Sequence, residues 1–88
     1  MKLSIIIPVF NEEGSLRELY YQITHSIKTF KEYEIVFIDD GSSDESNLII
    51  RDMLKQDSKV KLISFFRNFG KSAALSEGFK YASGDVII

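Results

Sequence analysis

The stretch Phe37-Ile38-Asp39-Asp40-Gly41-Ser42 places two carboxylates directly after an apolar run and directly before a turn. In a parallel α/β sheet, ligands bind in the crevice outside the carboxyl ends of the strands. A strand that ends in paired acids therefore offers acceptors for ribose hydroxyls, for base N–H groups or for a metal ion. A second apolar run ends in a similar way, in Pro8-Val9-Phe10-Asn11-Glu12-Glu13. Two such strand ends in one short chain predict a nucleotide site.

Length and composition narrow the class of protein. The chain has 88 residues, 44% of them apolar, which suits one small folded core. Its net charge of −2 gives no reason to expect nucleic-acid binding. It has no cysteine, which excludes disulfides and thiolate metal sites. Since no apolar run approaches the length of a membrane span and no secretory leader is visible, we expect a cytoplasmic location.

Apolar periodicity predicts that strands and helices alternate along the chain. Short apolar runs predict strands at residues 3–7, 33–38, 60–65 and 85–88. Apolar stripes predict helices over residues 11–30, from a Ser43 N-cap to about 56, and from about 70 to 82. This alternation predicts an α/β fold with a Rossmann-like parallel sheet. The last strand has no closing polar residue, which predicts that the chain is a fragment of a longer domain.

Asp39 and Asp40 have two interpretations. They accept hydrogen bonds from a nucleotide, or they order a turn, because Asp-Gly-Ser is common turn chemistry. Repulsion between two adjacent carboxylates calls for a partner and favours binding.

The first strand end also has two interpretations. Asn11, Glu12 and Glu13 either cap a helix and complement its dipole or form the polar wall of a base pocket. Propensity alone favours the helix cap. Pro8 suits a strand end because it cannot donate to a sheet ladder. Phe10 is placed to stack on a base, and a hydrophobic staple is its competing role.

The loop Arg67-Asn68-Phe69-Gly70-Lys71-Ser72 enters a predicted helix, whose N-terminus can bind an anion. Lys71 is the better candidate for a diphosphate contact, and Arg67 is expected to be a solvated loop residue. Neither the P-loop spacing nor the G-x-G-x-x-G fingerprint is present. His25 lies in the middle of a predicted helix with no nucleophile near it, so we expect it at the surface.

Four segments in order resemble the family 2 inverting glycosyltransferases, which have a GT-A nucleotide-sugar-binding fold. The segments are residues 5–13, 38–44, 68–78 and 82–85, and together they span most of the chain. The form Arg67-Asn68-Phe69-Gly70-Lys71 is similar to the branch that charges polyprenyl phosphates, such as the dolichyl-phosphate mannosyltransferases and bacterial undecaprenyl-phosphate glycosyltransferases.

The resemblance implies hexose transfer from a UDP- or GDP-sugar to a polyprenyl phosphate or glycan acceptor, with inversion. It implies that Pro8, Phe10 and Glu12 line the base and ribose pocket, that Asp39 binds the base side, and that Lys71 lies near the phosphates. Asp40 belongs to the same nucleotide-sugar-binding set, and we expect it mainly to order the turn.

The same resemblance implies a Mg²⁺ or Mn²⁺ ion in the parent enzyme, held by an Asp-x-Asp motif that follows the strand beginning at Asp85. The sequence ends before that motif, so we expect residues 1–88 to be an N-terminal nucleotide-binding part without turnover. The acceptor would be bound by missing segments, and the parent would be associated with the cytoplasmic face of a membrane.

Two alternatives remain open. One is a non-catalytic nucleotide-binding or regulatory module of flavodoxin-like topology. The other is a structural fragment that forms homo-oligomers through its unfinished sheet edge, since an exposed apolar edge recruits another strand.

Overall fold

The computed structural model describes residues 1–87, and it confirms the predicted alternation of strands and helices. The strands are β1 (Lys2–Val9), β2 (Glu32–Asp39), β3 (Val60–Ser64) and β4 (Val86–Ile87). The helices are α1 (Leu16–Ile27), α2 (Ser46–Gln56) and α3 (Lys71–Tyr81). The last position of the predicted fourth strand, residue 88, lies outside the described residues.

The four strands form one parallel sheet in the order β3-β2-β1-β4. The chain moves outward from β1 to β2 and β3, and then returns through α3 to β4 on the far side of β1. The strand order therefore reverses beside β1, which makes this the topological switch point where open α/β sheets bind ligands. In register, Val9 of β1 lies opposite Asp39 of β2, and Asp39 lies opposite Ser64 of β3.

The two faces of the sheet carry two separate apolar clusters because successive side chains of a strand point to opposite faces. On one face, strand residues such as Phe37 pack with Leu16 of α1 and Ile50 of α2. On the other face, β-branched side chains pack with Ala74 of α3; they are Ile6, Val36 and Ile38. The continuous apolar run of β2 is explained by the helices that cover both faces of the sheet.

Gly78 brings α3 unusually close to the sheet. A Cβ atom at this position would lie 2.8 Å from the Cδ1 atom of Ile38 and would also collide with Ile6. The glycine therefore sets the distance between helix and sheet.

Two predicted helix starts are wrong. α1 begins at Leu16 rather than residue 11, because Asn11 adopts a φ of 52°, a left-handed conformation that a right-handed helix excludes. α2 begins at Ser46 with Glu45 as its N-cap, so Ser43 is not the cap. The backbone N–H of Ser43 instead donates to the side chain of Asn11 at 2.8 Å.

A buried carboxylate joins the opposite, amino-terminal end of the sheet. Glu34 is only 1% exposed and accepts hydrogen bonds from Ser4 Oγ at 2.6 Å and from the Ser83 backbone N–H at 2.7 Å. Lys61 Nζ lies 2.7 Å from its other oxygen. Burial raises the pKa of Glu34, but its bonds to Lys61, Ser4 and Ser83 outweigh that and lower the pKa to about 2. No local sequence pattern indicates this cluster, because its members lie far apart along the chain.

Candidate functional site

A cavity of about 400 Å³ lies at the carboxyl ends of β1 and β2, beside the switch point. Five of the six residues predicted for the nucleotide site line it: Pro8, Phe10, Glu12, Asp40 and Lys71. Val9 and Leu75 complete the lining. The structure therefore brings together side chains from β1, from the end of β2 and from α3. Pro8 and Lys71, which both line the cavity, are 63 positions apart in the sequence.

The apolar and basic lining residues come from the end of β1 and from the start of α3. Pro8 and Val9 end β1, and Phe10 follows them with 46% of its surface exposed. Lys71 and Leu75 are four residues apart on α3, which puts them on the same face of that helix. The cavity thus has an aromatic and apolar wall with a cation at its edge.

Hydrogen bonds from backbone N–H groups to side-chain oxygens connect the loop after β1 with the segment that follows β2. The N–H of Asn11 donates to Ser42 Oγ at 2.9 Å, and the N–H of Glu12 donates to Ser46 Oγ at 2.9 Å. In the reverse direction, the N–H of Glu45 donates to the Glu13 carboxylate at 3.2 Å. Glu13 therefore supports the start of α2, and Glu12, not Glu13, borders the cavity.

Asp40 is buried at the junction of three segments. Its N–H donates to the carbonyl of Val9 at 2.8 Å, which binds it to β1. Its carboxylate accepts hydrogen bonds from the N–H groups of Phe69 at 2.7 Å and Gly70 at 3.0 Å, and from Asn68 Nδ2 at 3.0 Å. The expectation that Asp40 orders its own turn needs correction, because its carboxylate orders the loop before α3.

Asp39, not Asp40, orders the Asp-Gly-Ser turn. One of its oxygens accepts the N–H of Ser42 at 3.1 Å, and the other accepts Asn47 Nδ2 at 2.7 Å. Asp39 is 2% exposed and is not among the cavity-lining residues. Its assignment to the base and ribose stays a prediction, and Asp40 is the one of the two acids that borders the cavity.

Gly41 allows the two loops to approach each other. Its φ is +72°, and a Cβ atom there would lie 2.5 Å from the backbone nitrogen of Asn68 and collide with the carbonyl carbon of Arg67. The glycine of the Asp-Gly-Ser turn is thus required both by backbone conformation and by the close passage of another chain segment.

The loop before α3 has a basic and aromatic surface. The Arg67 guanidinium lies over the ring of Phe69 at 4.6 Å and over the ring of Phe66 at 5.6 Å. Arg67 does not line the cavity, as expected from the sequence, whereas Lys71 does. Gly70, with a φ of 104°, precedes Lys71 and leaves the N-terminus of α3 without a capping side chain of its own. The first N–H groups of a helix attract anions, so this end suits a phosphate.

His25 does not take part in the site. It lies exposed in α1, where its ring stacks on Tyr21 with centroids 6.0 Å apart. Sequence reasoning missed Asn47 and Asn68, which position Asp39 and Asp40 respectively. A side-chain amide inside a helix or a loop has no pattern that would mark it for this purpose.

The described residues do not fit a divalent metal ion. In residues 1–87, no group of three His, Cys, Asp or Glu side chains is arranged to hold one. The oxygens of Asp39 and Asp40 already accept hydrogen bonds from neighbouring donors. Over the same residues, no helix is long and apolar enough to cross a bilayer.

A parallel sheet covered on both faces, with a cavity at its switch point, is the architecture in which open α/β proteins bind ligands. The chain belongs to glycosyl transferase family 2, whose family description matches residues 4–88.

Similar proteins and structures agree with this assignment. The prophage bactoprenol glucosyl transferase homolog of Escherichia coli (strain K12) is 44% identical and aligns with 100% of this chain and 29% of its own length. The bactoprenol glucosyl transferase of Shigella phage SfV is also 44% identical, with the same coverage. The crystal structure of S. aureus TarS 1-349 superposes with a TM-score of 0.86 at 27% identity, over 100% of this chain and 26% of that one. The Rossmann-like α/β fold is thus that of the GT-A glycosyltransferases.

Another solved structure shows the fold alone. The mannosyltransferase PcManGT from Pyrobaculum calidifontis, in complex with GDP-Man and Mn²⁺, has a TM-score of 0.86 at 22% identity, over 97% of this chain and 25% of that one. The chain spans less than a third of the length of the curated relatives named here.

Proposed function

We propose that the whole protein transfers a hexose from a UDP- or GDP-sugar to a polyprenyl phosphate or a related glycan acceptor, and that residues 1–88 hold the nucleotide. The observation that carries the proposal is the shared cavity of Phe10, Glu12, Asp40 and Lys71 at the switch point. The lipid acceptor is supported by relatives named bactoprenol glucosyl transferases. Such an acceptor would place the parent protein at the cytoplasmic face of a membrane.

The donor class is supported by solved relatives. A crystal structure of S. aureus TarS in complex with UDP-GlcNAc has a TM-score of 0.82 at 27% identity, covering 100% of this chain and 25% of that one. The proposed reaction is an in-line displacement. An acceptor oxygen, either an anionic phosphate oxygen or a glycan hydroxyl that gives its proton to a base, forms a bond to the anomeric carbon. The bond from that carbon to the diphosphate oxygen breaks, and the nucleoside diphosphate leaves with the electron pair. The configuration at the anomeric carbon is inverted.

Each residue of the cavity has a proposed role in binding. Phe10 and Pro8 form the wall on which the base lies, and Glu12 accepts hydrogen bonds from ribose hydroxyls. Asp40 borders the base pocket and positions the loop before α3. Lys71 and the N-terminus of α3 bind the diphosphate. Asp39 supports the pocket through the turn it orders, and its direct contact with the base stays a prediction.

A divalent cation, Mg²⁺ or Mn²⁺, is part of the proposal for the whole protein, as is the absence of turnover by residues 1–88 alone. Because the described residues contain no group that fits the cation, we assign it no step here.

Calorimetric titration of the chain with UDP and with GDP tests the proposal. Phe10→Ala should weaken binding of the preferred nucleotide about tenfold or more, because base–aromatic stacking contributes roughly 1–3 kcal/mol. Phe79→Ala is the matched control, since Phe79 is 53% exposed on α3 and does not line the cavity. The proposal fails if the wild-type chain binds neither nucleotide, or if the two alanine variants bind equally well.

A further inference from the structure

We propose that Asn11 is a positioning residue that fixes both walls of the nucleotide cavity before the nucleotide binds. This inference rests on the proposed function, since it concerns the same cavity. Asn11 does not line the cavity itself, but its neighbours on both sides, Phe10 and Glu12, do.

The backbone of Asn11 has an unusual conformation. Among the described residues it is the one non-glycine residue with positive φ, at 52°. Asparagine tolerates the left-handed region better than most residues, and strained positions of this kind concentrate at functional sites. This conformation occurs directly after β1, and the residues on either side of it, Phe10 and Glu12, both border the cavity.

The side chain of Asn11 holds the opposite loop. Its Oδ1 atom accepts the N–H of Ser43 at 2.8 Å and the N–H of Asp44 at 3.3 Å, and Ser43 Oγ lies 3.4 Å from the same oxygen. The backbone N–H of Asn11 donates to Ser42 Oγ at 2.9 Å. One residue thus contributes both a donor and an acceptor to the loop after β2.

These contacts connect two sides of one cavity. Asp40 lies two residues before Ser42, the first of the residues that Asn11 contacts, and it borders the cavity from the β2 side. Asn11 therefore holds the β1 wall, with Phe10 and Glu12, against the β2 wall. Since Asn11 is exposed and uses its side-chain oxygen as an acceptor only, its contribution is to orientation and not to the apolar core.

Three substitutions separate conformation from hydrogen bonding. Asn11→Gly keeps access to the left-handed region and removes the acceptor, Asn11→Ala removes both, and Asn11→Asp keeps both. In titrations with UDP and GDP at 0.15 M salt, we expect the Gly and Ala variants to bind about tenfold to a hundredfold more weakly, because small misplacements of positioning groups have effects of this size. The Asp variant should bind within about threefold of the wild type.

Tyr20→Phe controls for a general loss of stability, because it removes the 2.5 Å hydrogen bond from Tyr20 to Asp57, two residues that do not line the cavity. It should leave nucleotide affinity unchanged. The inference is overturned if Asn11→Ala binds as the wild type does, if Asn11→Asp is as weak as Asn11→Ala, or if Tyr20→Phe weakens binding equally.

Amide hydrogen exchange without nucleotide gives an independent readout. The amides of Glu12 and Glu13 keep their own acceptors, Ser46 and Asp44, in every Asn11 variant. They should exchange faster in Asn11→Ala and at the wild-type rate in Asn11→Asp. If the wild-type chain binds neither UDP nor GDP, the proposed function has failed, and unchanged exchange in Asn11→Ala would then refute the positioning role as well.

Discussion

The carboxylate of Asp40 accepts a hydrogen bond from the backbone N–H of Phe69 at 2.7 Å, across 29 positions of the sequence. Together with its bonds from Gly70 and Asn68, this contact attaches the loop before α3 to the end of β2. It also places a negative charge near the N-terminus of α3, where the helix dipole favours one. The position of Lys71 at the cavity edge therefore depends on the residue directly after β2 as well as on the loop's own sequence.

Asp40→Asn should destabilise the fold by about 2–3 kcal/mol, because hydrogen bonds to a charged, buried acceptor are among the stronger ones. In the variant, the side-chain NH2 group of asparagine would also face the N–H donors that the carboxylate now accepts. Urea unfolding measures this as a lower midpoint with an unchanged slope. The control is Asp52→Asn, since Asp52 is exposed and forms a surface ion pair with Arg17 at 3.7 Å. Equal midpoints for the two variants would contradict the role of Asp40.

Gly41→Ala should destabilise the protein by more than about 2 kcal/mol, since it adds strain at positive φ to a backbone collision with Arg67 and Asn68. Gly14→Ala is the matched control, because no atom lies within 4 Å of the added methyl group and its φ is not positive. Thermal unfolding of both variants checks the difference. A Gly41→Ala protein as stable as Gly14→Ala would show that the two loops do not pack as described.

Glu34 should make stability depend on acid pH. Its folded-state pKa is lowered from 4.5 to about 2, so its contribution is present above pH 4.5 and is lost as the pH falls from 4.5 toward 2. The free energy of unfolding lost through this group should be roughly 3 kcal/mol. Urea unfolding of the wild type and of Glu34→Gln across this range isolates it, because other carboxylates titrate in both proteins. If the free energy of unfolding depends on pH in the same way in both proteins, the lowered pKa of Glu34 is refuted.

Lys71→Ala should reduce the preference for UDP over uridine, because Lys71 is proposed to contact the diphosphate and not the nucleoside. We expect a reduction of about threefold to tenfold, which shrinks in 0.5 M salt as screening increases. Lys80→Ala serves as the control on the same helix, since Lys80 lies in the last turn and pairs with Glu77 at 3.3 Å. If both variants keep the wild-type ratio, the phosphates do not lie at the N-terminus of α3.

Much of the fold was predictable because its signals are local. Continuous apolar runs predicted β1 and β2, since both faces of these strands are covered by helices. Helix starts were less predictable. Asn11 and Ser43 are ordinary capping residues by type, but both lie outside the helices and contact each other across 32 positions of the sequence, which no local signal indicates.

The candidate site was predictable in composition but not in detail. Pro8, Phe10, Glu12, Asp40 and Lys71 lie at strand and helix ends, where the topology of a parallel sheet brings residues together. The division of roles between Asp39 and Asp40 depends on Asn47 and Asn68, which are distant partners that no sequence spacing indicates. The self-associating fragment and the non-catalytic module stay predictions from sequence.

Mapping of UDP and GDP onto the backbone amides by nuclear magnetic resonance tests the central claim most directly. Titration should shift the amides of residues 10, 12, 40 and 71 together and with one dissociation constant. The account is contradicted if these amides do not move, or if the shifts centre on the groove along α1 that is lined by Ile5, Leu19 and Ile23.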